Sequence, residues 1–383
     1  MAKQAGIGII GCGTISEAYL RLAPNFANLK VVAVADIVAA AARTRAEQFG
    51  LRALGVDELL RDESISTVIN LTVPAVHYEV SRSILSAGKN AYSEKPLALT
   101  AADARKLVAE ADRRGLKLGG APDTFLGAAG QAARRMLDKG AIGDVIAGSA
   151  HVMGHGMEHW HPQPGFYFKP GGGPVFDMGP YYITDLVNLL GAVKGVAAMA
   201  TRGFAERTVT AAGPMTGQKI KVRTPTTISA VLEFASGTQI TFGASWDVWR
   251  HGHQNPIELY GTDGTMLVPD PNFFAGTISV TEKGSEYREV ETGGEAFGAA
   301  NWPFGGPFTR ANYRMLGVAD LVDAAAKGRE PRCSGRLAAH VVEVMESILV
   351  SAAEKRFVKL RSSIERPAPL TAADAKRFAA RTA

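Results

Sequence analysis

Cysteine is scarce in this sequence, since Cys12 and Cys333 are the only two among 383 residues. They lie far apart along the chain and form no CxxC pair. The sequence therefore predicts neither a disulfide framework nor a cysteine-based zinc site, and it is consistent with a reducing compartment.

Long apolar runs are also lacking. No stretch approaches the ~20 consecutive apolar residues that a transmembrane helix needs. The first apolar run begins at residue 5 and passes directly into a glycine turn, without the longer apolar core of a signal peptide. We therefore expect a cytoplasmic protein with no membrane partner.

Charge of one sign is not concentrated anywhere. The net charge is +5, and short basic pairs such as Arg113–Arg114 and Arg134–Arg135 do not extend into a long basic run. The sequence therefore gives no support for a nucleic-acid partner.

The composition is that of a globular protein, with 46% apolar and 21% charged residues. A chain of 383 residues exceeds the ~250–300 at which a single core stops growing. Two domains are therefore expected.

The stretch HGMEHWHP at 155–162 places His155, Glu158 and His159 in the pattern H-x-x-E-H, which can mark a zinc peptidase. That chemistry requires a regular helix that brings both imidazoles to one face. The glycines and prolines in and around the stretch disfavour a helix. We interpret it as a loop and expect no metal, with a zinc hydrolase kept as an alternative function.

The stretch GIGIIGCGTISEAYLRLA contains a short apolar strand, a glycine turn and an amphipathic helix. This is the order in which G-x-G predicts a dinucleotide-binding site. Gly11 makes the turn and Gly13 lets a pyrophosphate approach, while Thr14 and Ile15 open a helix whose free N–H groups attract it. Ser16 replaces the usual third glycine or alanine, but it is still small.

The second strand, VVAVAD, ends in Asp36. A carboxylate at this place accepts hydrogen bonds from ribose hydroxyls and repels a 2′-phosphate, which favours NAD over NADP. Arg43 or Arg45 could still accommodate the phosphate, and Asp36 could also cap the following helix.

Strands and helices continue to alternate, with strands at 67–71, 90–93 and 116–120 and helices from Ala75 and Thr100. This pattern predicts an α/β Rossmann domain, a doubly wound parallel sheet, over residues 1–122. The loops TVPAVH and SEKPLAL follow strand ends, where such sheets bind ligands. We therefore expect cofactor contacts from the following residues: Thr72, Pro74, His77, Glu94 and Lys95.

The chain resembles the glucose-fructose oxidoreductase/inositol dehydrogenase (Gfo/Idh/MocA) family over nearly its whole length. The resemblance rests on the glycine turn, Asp36, TVPAVH, Glu94-Lys95-Pro96 and GGGPVFDMGPYYITDLVNLLG at 171–191. It implies a bound nicotinamide cofactor, oxidation or reduction of a sugar or cyclitol carbon, and a cis Lys95–Pro96 peptide. It also implies an α+β second domain with a large open, mostly antiparallel sheet that often forms the oligomer interface.

Patterning agrees with a sheet-rich second domain, which we place at 123–360. Residues 226–249 alternate as two strands around a Ser-Gly turn, and 255–268 as two more around Asp-Gly. Residues 310–327 and 335–355 are patterned as helices. A tail at 361–383 carries prolines and a short capped helix.

Lys95 is the first candidate for chemistry, because its ammonium can hydrogen-bond the reacting hydroxyl and stabilise a developing alkoxide. The resemblance implies that Asp177 forms the second half of the site with a histidine four residues later. Here that position is Tyr181, so the proton acceptor is either this tyrosine, which we favour, or His161. A core aromatic with Asp177 as a helix N-cap is the structural alternative.

The loop at 155–162 should cover the substrate pocket in this architecture. Trp160 can stack on a pyranose face and the imidazoles can bond hydroxyls. The candidate substrate contacts are His155, His159, Trp160 and His161, with Asp123, Trp246, Trp249 and His253 as weaker ones.

We predict an NAD-dependent dehydrogenase that oxidises or reduces a secondary hydroxyl carbon of a sugar, glycoside or cyclitol. The missing histidine also leaves open a non-catalytic NAD-binding sensor. A homo-oligomer formed through the second-domain sheet is expected.

Overall fold

A computed structural model describes residues 4–253, 255–304 and 307–380. The first third alternates strands with helices as the apolar patterning predicts. Its elements are β1 (Ala5–Ile10), α1 (Thr14–Leu22), β2 (Leu29–Ala35), α2 (Ala39–Phe49), β3 (Arg52–Leu54), α3 (Val56–Arg61), β4 (Thr67–Asn70), α4 (His77–Ser86), β5 (Asn90–Ser93), α5 (Ala101–Arg114) and β6 (Leu118–Gly120).

These strands form a six-stranded parallel sheet in the order β3-β2-β1-β4-β5-β6. The central strands are short apolar runs because helices cover both of their faces; Ile7, Val34 and Ile69 are fully buried. The order reverses between β1 and β4, so their carboxyl ends open the crevice in which such sheets bind ligands. The predicted Rossmann fold is confirmed.

The second part is built around a larger sheet. Its elements are α6 (Ala128–Asp138), β7 (Val145–Met153), α7 (Gly173–Asp177), α8 (Gly179–Leu190), β8 (Val193–Thr201), β9 (Glu206–Thr208), β10 (Lys219–Lys221), β11 (Thr227–Phe234), β12 (Gln239–Ser245), β13 (Ile257–Gly261), β14 (Gly264–Val268), β15 (Thr277–Glu282), β16 (Arg288–Glu291), β17 (Trp302–Pro303), β18 (Thr309–Arg310), α9 (Leu316–Lys327), α10 (Gly335–Glu354), β19 (Val358–Lys359) and α11 (Ala372–Phe378).

In the part of the chain that the structure describes, nine strands form one mostly antiparallel sheet in the order β16-β15-β14-β13-β7-β12-β11-β8-β19, with β7 and β12 as its single parallel pair. Strand β11 shows why one face is covered: Ile228, Ala230 and Leu232 are buried in the core, whereas Ser229 and Val231 on the opposite face are exposed. The predicted α+β second domain with an open sheet is confirmed.

Helix α10 connects the two sheets. Helix α10 packs on β8 and α8 of the second domain and also on α5 and β6 of the first. The backbone N–H of Gly120 donates to Cys333 O, and Gly119 pairs with Ser334. The boundaries after residues 122 and 360 remain predictions.

The predicted tail, which the structure describes over residues 361–380, packs against both parts, which its sequence did not determine. Phe378 is fully buried, and the N–H of Ala27 donates to its carbonyl. Arg332 donates from Nε to Ala368 O (2.9 Å) and from Nη2 to the Asp374 carboxylate (2.5 Å). The predicted capped helix is present as α11, with the Thr371 hydroxyl accepting from the Asp374 N–H.

Most predicted elements match the structure, but the helix predicted at 310–327 begins only at Leu316, because Thr309–Arg310 pairs with Trp302–Pro303 instead. The pairs at 226–249 and 255–268 are β11–β12 and β13–β14. In the described residues, no helix combines the length and the apolar character that crossing a bilayer requires.

Candidate active site

The glycine turn after β1 lies at the crevice. Gly11 has φ +106°, and a Cβ there would lie 2.6 Å from the Leu71 backbone, so only glycine fits. Gly13 is exposed, and no atom of the described residues lies within 4 Å of where a Cβ on it would be; α1 begins directly after it at Thr14. The helix N–H groups therefore open onto unobstructed space, which fits a pyrophosphate. Ile15 is half-buried behind this turn.

Asp36 directly follows the neighbouring strand β2 and holds the glycine turn. Its carboxylate accepts from the N–H of Cys12 (2.8 Å) and from the N–H of Val38 (2.8 Å). The second bond closes a short turn before α2. The N-cap of α2 is Val38 and no side chain caps the helix, so the capping role that the sequence left open for Asp36 is wrong. The side chain is half-buried at the crevice, where ribose hydroxyls can also reach it.

Exposed apolar residues on both sides of the glycine turn were not anticipated from the sequence. Ile37 is 95% exposed and follows β2; Val73 is 60% exposed and follows β4. Because β2 and β4 flank β1, these side chains offer apolar surface on both sides of the turn, of the kind that binds a heteroaromatic ring. The available signal was an Ile-Val pair directly after the strand-ending Asp36.

His77 does not face the crevice, so its predicted cofactor contact is corrected. It is 1% exposed, with Nδ1 2.6 Å from Pro96 O and Nε2 3.0 Å from Thr72 O. His77 therefore joins the loop after β4 to the loop after β5. Thr72 and Pro74 remain at the edge of the crevice, in the loop that His77 braces.

Lys95 stands at the carboxyl end of β5, and the Lys95–Pro96 peptide is cis, as the resemblance implied. Its Nζ donates to the side chain and to the carbonyl of Asp177, at 2.7 Å each. Burial disfavours the ammonium, but the nearby Asp177, Tyr181 and Glu94 outweigh it and raise the pKa of Lys95 above its usual value. Lys95 is therefore a hydrogen-bond donor at neutral pH and cannot act as a base.

The sequence predicted that Asp177 and Tyr181 lie on one continuous helix, and this prediction is wrong. Helix α7 ends at Asp177 and α8 begins at Gly179, because Pro180 removes the N–H donor that would continue the ladder. Asp177 is also not an N-cap, since α7 begins at Gly173. Both side chains still reach Lys95, whose Nζ lies 5.2 Å from the centre of the Tyr181 ring.

Arg314 completes this group and was missed by sequence reasoning. Its Nη2 lies 3.5 Å from the Tyr181 hydroxyl, at the outer limit of a hydrogen bond. Burial opposes its charge, but Tyr181 and Glu94 raise the pKa of Arg314 above its usual value. We call Lys95, Asp177, Tyr181 and Arg314 the Lys95 cluster.

Glu94 connects Lys95 to helix α1. It accepts from the Tyr19 hydroxyl (2.8 Å) and from the backbone N–H of Lys95 (2.9 Å). Only 9% exposed, it links α1 to the strand end that carries Lys95 and so positions that residue.

The loop before α7 places His161 and Tyr167 beside the cluster. Burial lowers the pKa of His161 and raises the pKa of Tyr167, and the negative charge of Asp177 favours the protonated form of both. The His161 Nδ1 accepts from the N–H of Gln163 (3.1 Å). A neutral His161 therefore carries its proton on Nε2, which makes it a donor to a substrate rather than a proton acceptor. Tyr167 was not among the predicted residues.

The H-x-x-E-H residues do not form a zinc motif. Residues 155–159 are not helical, and the Glu158 carboxylate accepts from Arg207 Nη1 at 2.8 Å. The His155 ring stacks on Trp249 at 3.3 Å between centroids. In residues 4–253, 255–304 and 307–380, no three His, Cys, Asp or Glu side chains are arranged to hold a metal ion. These residues therefore lack the geometry that the zinc-hydrolase alternative needs.

The weaker substrate candidates divide among several places. Asp123 is 2% exposed and accepts from the N–H of Gly317 (3.0 Å), so the predicted substrate contact is corrected to a structural role; burial raises its pKa to about 6. Trp246 is buried in a small apolar cluster. His253 stacks on His151 at 3.7 Å, away from Lys95, and Trp160 is 55% exposed.

Comparisons with known proteins agree with this architecture. Residues 5–120 match the family described as an oxidoreductase family with an NAD-binding Rossmann fold, and residues 131–267 match the Gfo/Idh/MocA C-terminal domain. The dTDP-3,4-didehydro-2,6-dideoxy-alpha-D-glucose 3-reductase of Streptomyces violaceoruber is 32% identical over 272 residues, covering 68% of this chain and 72% of that protein.

A second relative and one solved structure extend the likeness. The trans-1,2-dihydrobenzene-1,2-diol dehydrogenase of Sus scrofa is 26% identical over 305 residues, covering 77% of this chain and 83% of that protein. The apo form of levoglucosan dehydrogenase superposes with a TM-score of 0.81 at 21% identity, covering 95% of this chain and 100% of that chain, which supports the fold. The chain thus belongs to the Gfo/Idh/MocA family of oxidoreductases, with an NAD-binding Rossmann domain.

Proposed function

We propose that this protein is an NAD-dependent dehydrogenase that transfers a hydride to or from a secondary hydroxyl carbon of a sugar, glycoside or cyclitol. The observation that carries the proposal is the Lys95–Asp177 pair at the carboxyl end of β5, with Nζ 2.7 Å from the carboxylate. It holds a charged donor at the same end of the parallel sheet as the turn that fits a pyrophosphate.

The bound nicotinamide would supply the hydride acceptor or donor. Gly11, Gly13, Thr14 and Ile15 would hold the pyrophosphate, and Asp36 the adenosine ribose. Lys95 donates a hydrogen bond to the reacting oxygen and stabilises negative charge on it, while Asp177 fixes the direction of the ammonium. Such donors act best when they need no reorientation during the reaction.

Tyr181 is our candidate for the proton acceptor. Lys95 and Arg314 bring two cations to its ring and hydroxyl, and these complement negative charge on the phenolic oxygen. The hydrogen bond from Gln163 makes His161 a donor, so it suits substrate binding better. Tyr167 is a second tyrosine within reach of the same charges.

The substrate class rests on the relatives. The names of the two relatives described above are those of a deoxysugar nucleotide reductase and a cyclic diol dehydrogenase, and a shorter match is an inositol 2-dehydrogenase. These substrates share a ring carbon that bears a secondary hydroxyl or the matching ketone. Polar side chains around Lys95 suit such hydroxyl-rich rings.

Replacing Lys95 tests the role of the ammonium. Lys95→Ala should lower turnover by roughly 100-fold or more while keeping much of the NAD affinity, because one donor to a developing charge commonly contributes that much. The assay is a panel of sugars and cyclitols with NAD, followed at the absorbance of the reduced cofactor. Lys106→Ala is the matched control, because Lys106 pairs with Asp103 at 2.9 Å on the surface. Retained turnover in Lys95→Ala would refute the role, and a wild type inactive on the whole panel would favour the sensor.

Asp36 should make the protein prefer NAD to NADP. Two like charges 4 Å apart repel by about 1–4 kcal/mol at effective dielectric constants of about 80 to 20, so NAD should bind about fivefold tighter or more. Asp36→Ser should reduce the ratio of NAD affinity to NADP affinity, whereas Asp57→Ser on the surface should leave this ratio unchanged. Fluorescence titration measures both affinities, and equal wild-type affinities would contradict the assignment.

Tyr181→Phe tests the proton acceptor. Turnover should rise toward alkaline pH in the wild type, and Tyr181→Phe should remove that rise and lower turnover by about 10²–10⁴-fold. His161→Ala should mainly raise KM. A Tyr181→Phe enzyme with near-normal turnover and an unchanged pH profile would disprove the assignment; loss of the rise in Tyr167→Phe instead would transfer the role to Tyr167.

We also propose that the open face of the nine-stranded sheet forms a homo-oligomer interface. Met199 is 79% exposed and Val231 41% exposed on neighbouring strands of this face, as an apolar contact surface requires. Light scattering should give an oligomer for the wild type and a smaller species for Met199→Glu. A monomeric wild type would contradict the proposal.

A further inference from the structure

A cavity of about 700 Å³ lies at the end of the nine-stranded sheet, outside the Lys95 cluster. It is formed by the loops that follow β7, β8 and β12. These strands run in the same direction, because β7 is parallel to β12 and because β8 and β12 are both antiparallel to β11. The three loops therefore leave the sheet at the same end. This volume is within the range of small-molecule sites, about 300–1,000 Å³.

Arg207 forms the polar floor of this cavity and is only 4% exposed. Its Nη1 donates to Glu158 Oε1 (2.8 Å), while Nη2 donates to Trp246 O (2.8 Å) and to the Asp247 carboxylate. Three buried polar atoms around it have no hydrogen-bond partner in the described part of the chain: Arg207 Nε, Glu158 Oε2 and His155 Nδ1. Buried polar atoms of this kind call for a partner, and all three belong to side chains that line this one cavity.

The protonation of His155 follows from its neighbour. Its Nε2 lies 3.4 Å from Arg207 Nη1, which can only donate, so Nε2 is the accepting nitrogen and Nδ1 carries the hydrogen. Burial and the Arg207 charge both lower the pKa of His155, which keeps the ring neutral. The unsatisfied set is therefore two donors, at Nδ1 and Arg207 Nε, and one acceptor, at Glu158 Oε2.

The same wall carries exposed aromatic surface. Trp249 is 78% exposed and stacks on His155, and Phe204 is 44% exposed with the Arg207 guanidinium 4.4 Å from its centre. Aromatic faces beside a mixed set of donors and acceptors match a ring that has apolar C–H faces and hydroxyl edges.

Charge distinguishes between the ligand classes. Two carboxylates, Glu158 and Asp247, form ion pairs with the single Arg207 guanidinium, so the net charge of this group is negative. An anionic ligand such as a phosphate would meet uncompensated carboxylate charge, whereas hydroxyl groups both donate and accept. The chemistry of the wall therefore favours a neutral polyol.

The cavity and the Lys95 cluster lie on either side of one packed turn. The turn at Pro164–Phe168 packs on α7, which ends at Asp177. The ring centre of its Phe168 lies 5.9 Å from the Arg207 guanidinium at the cavity.

From these observations we propose that the cavity binds a second, neutral sugar ring, next to the ring on which Lys95 acts. The inference rests on the proposed function and narrows its substrate class to disaccharides and glycosides with a sugar as aglycone. Trp249 and Phe204 provide the stacking surface, and His155, Glu158 and Arg207 bond the hydroxyls.

Calorimetry on the NADH-saturated protein tests this inference. The probes are maltose, cellobiose, lactose, melibiose, sucrose and trehalose, each compared with D-glucose, D-galactose and D-fructose. At least one disaccharide should bind about tenfold tighter than its own monosaccharides. Trp249→Ala and Phe204→Ala should remove this advantage and leave monosaccharide binding unchanged; both side chains are exposed, so folding should be unaffected.

Tyr287→Ala is the matched control, because Tyr287 is a 50% exposed aromatic outside the cavity and should leave the advantage intact. If no disaccharide binds tighter than its monosaccharides, or if the advantage survives in Trp249→Ala, the inference is wrong. Turnover with NAD is measured separately on the same sugars. If monosaccharides are turned over but no disaccharide binds tighter than they do, only this inference is wrong. If a disaccharide binds tighter in a Trp249-dependent way but no sugar is turned over, only the proposed dehydrogenase function is wrong.

Discussion

The active-site arrangement depends on one ion pair between the two parts of the molecule. Lys95 comes from the end of a Rossmann strand and Asp177 from the last residue of a short helix in the second domain, with 2.7 Å between Nζ and the carboxylate. Both side chains are less than one-fifth exposed, so the pair is poorly screened and its geometry matters. The ammonium stays charged because the carboxylate compensates for its burial.

The rest of the molecule fixes the two ends of this pair. Glu94 ties the backbone of Lys95 to Tyr19 on α1, and helix α10 packs against both sheets. The C-terminal tail also packs against the two parts. Its Phe378 is buried near the end of α1, and Arg332 donates a hydrogen bond to the backbone carbonyl of Ala368 in the tail. A catalytic donor that must not reorient benefits from such rigid supports.

Local patterns led to the candidate cofactor residues but to only part of the group around Lys95. Gly11, Asp36 and Lys95 could be located because each lies within two residues of a strand end, and strand ends meet at one edge of a parallel sheet. Arg314 could not be found this way, since it meets Tyr181 across 133 positions of sequence. The pattern also did not show which way a side chain points: His77 and Asp123 follow strands as expected, yet both are turned into the core. The break between α7 and α8 was signalled by Gly179-Pro180, but the spacing of Asp177 and Tyr181 suggested a single helix.

The central claim is that Lys95 and Asp177 act as one unit, and a double-mutant cycle tests it directly. kcat/KM would be measured with NAD and a turned-over sugar or cyclitol for the wild type, Lys95→Met, Asp177→Asn and the double variant. We predict strong non-additivity, with the double variant hardly slower than Lys95→Met, because Asp177 works through the ammonium. Losses that multiply independently in the double variant would contradict the account.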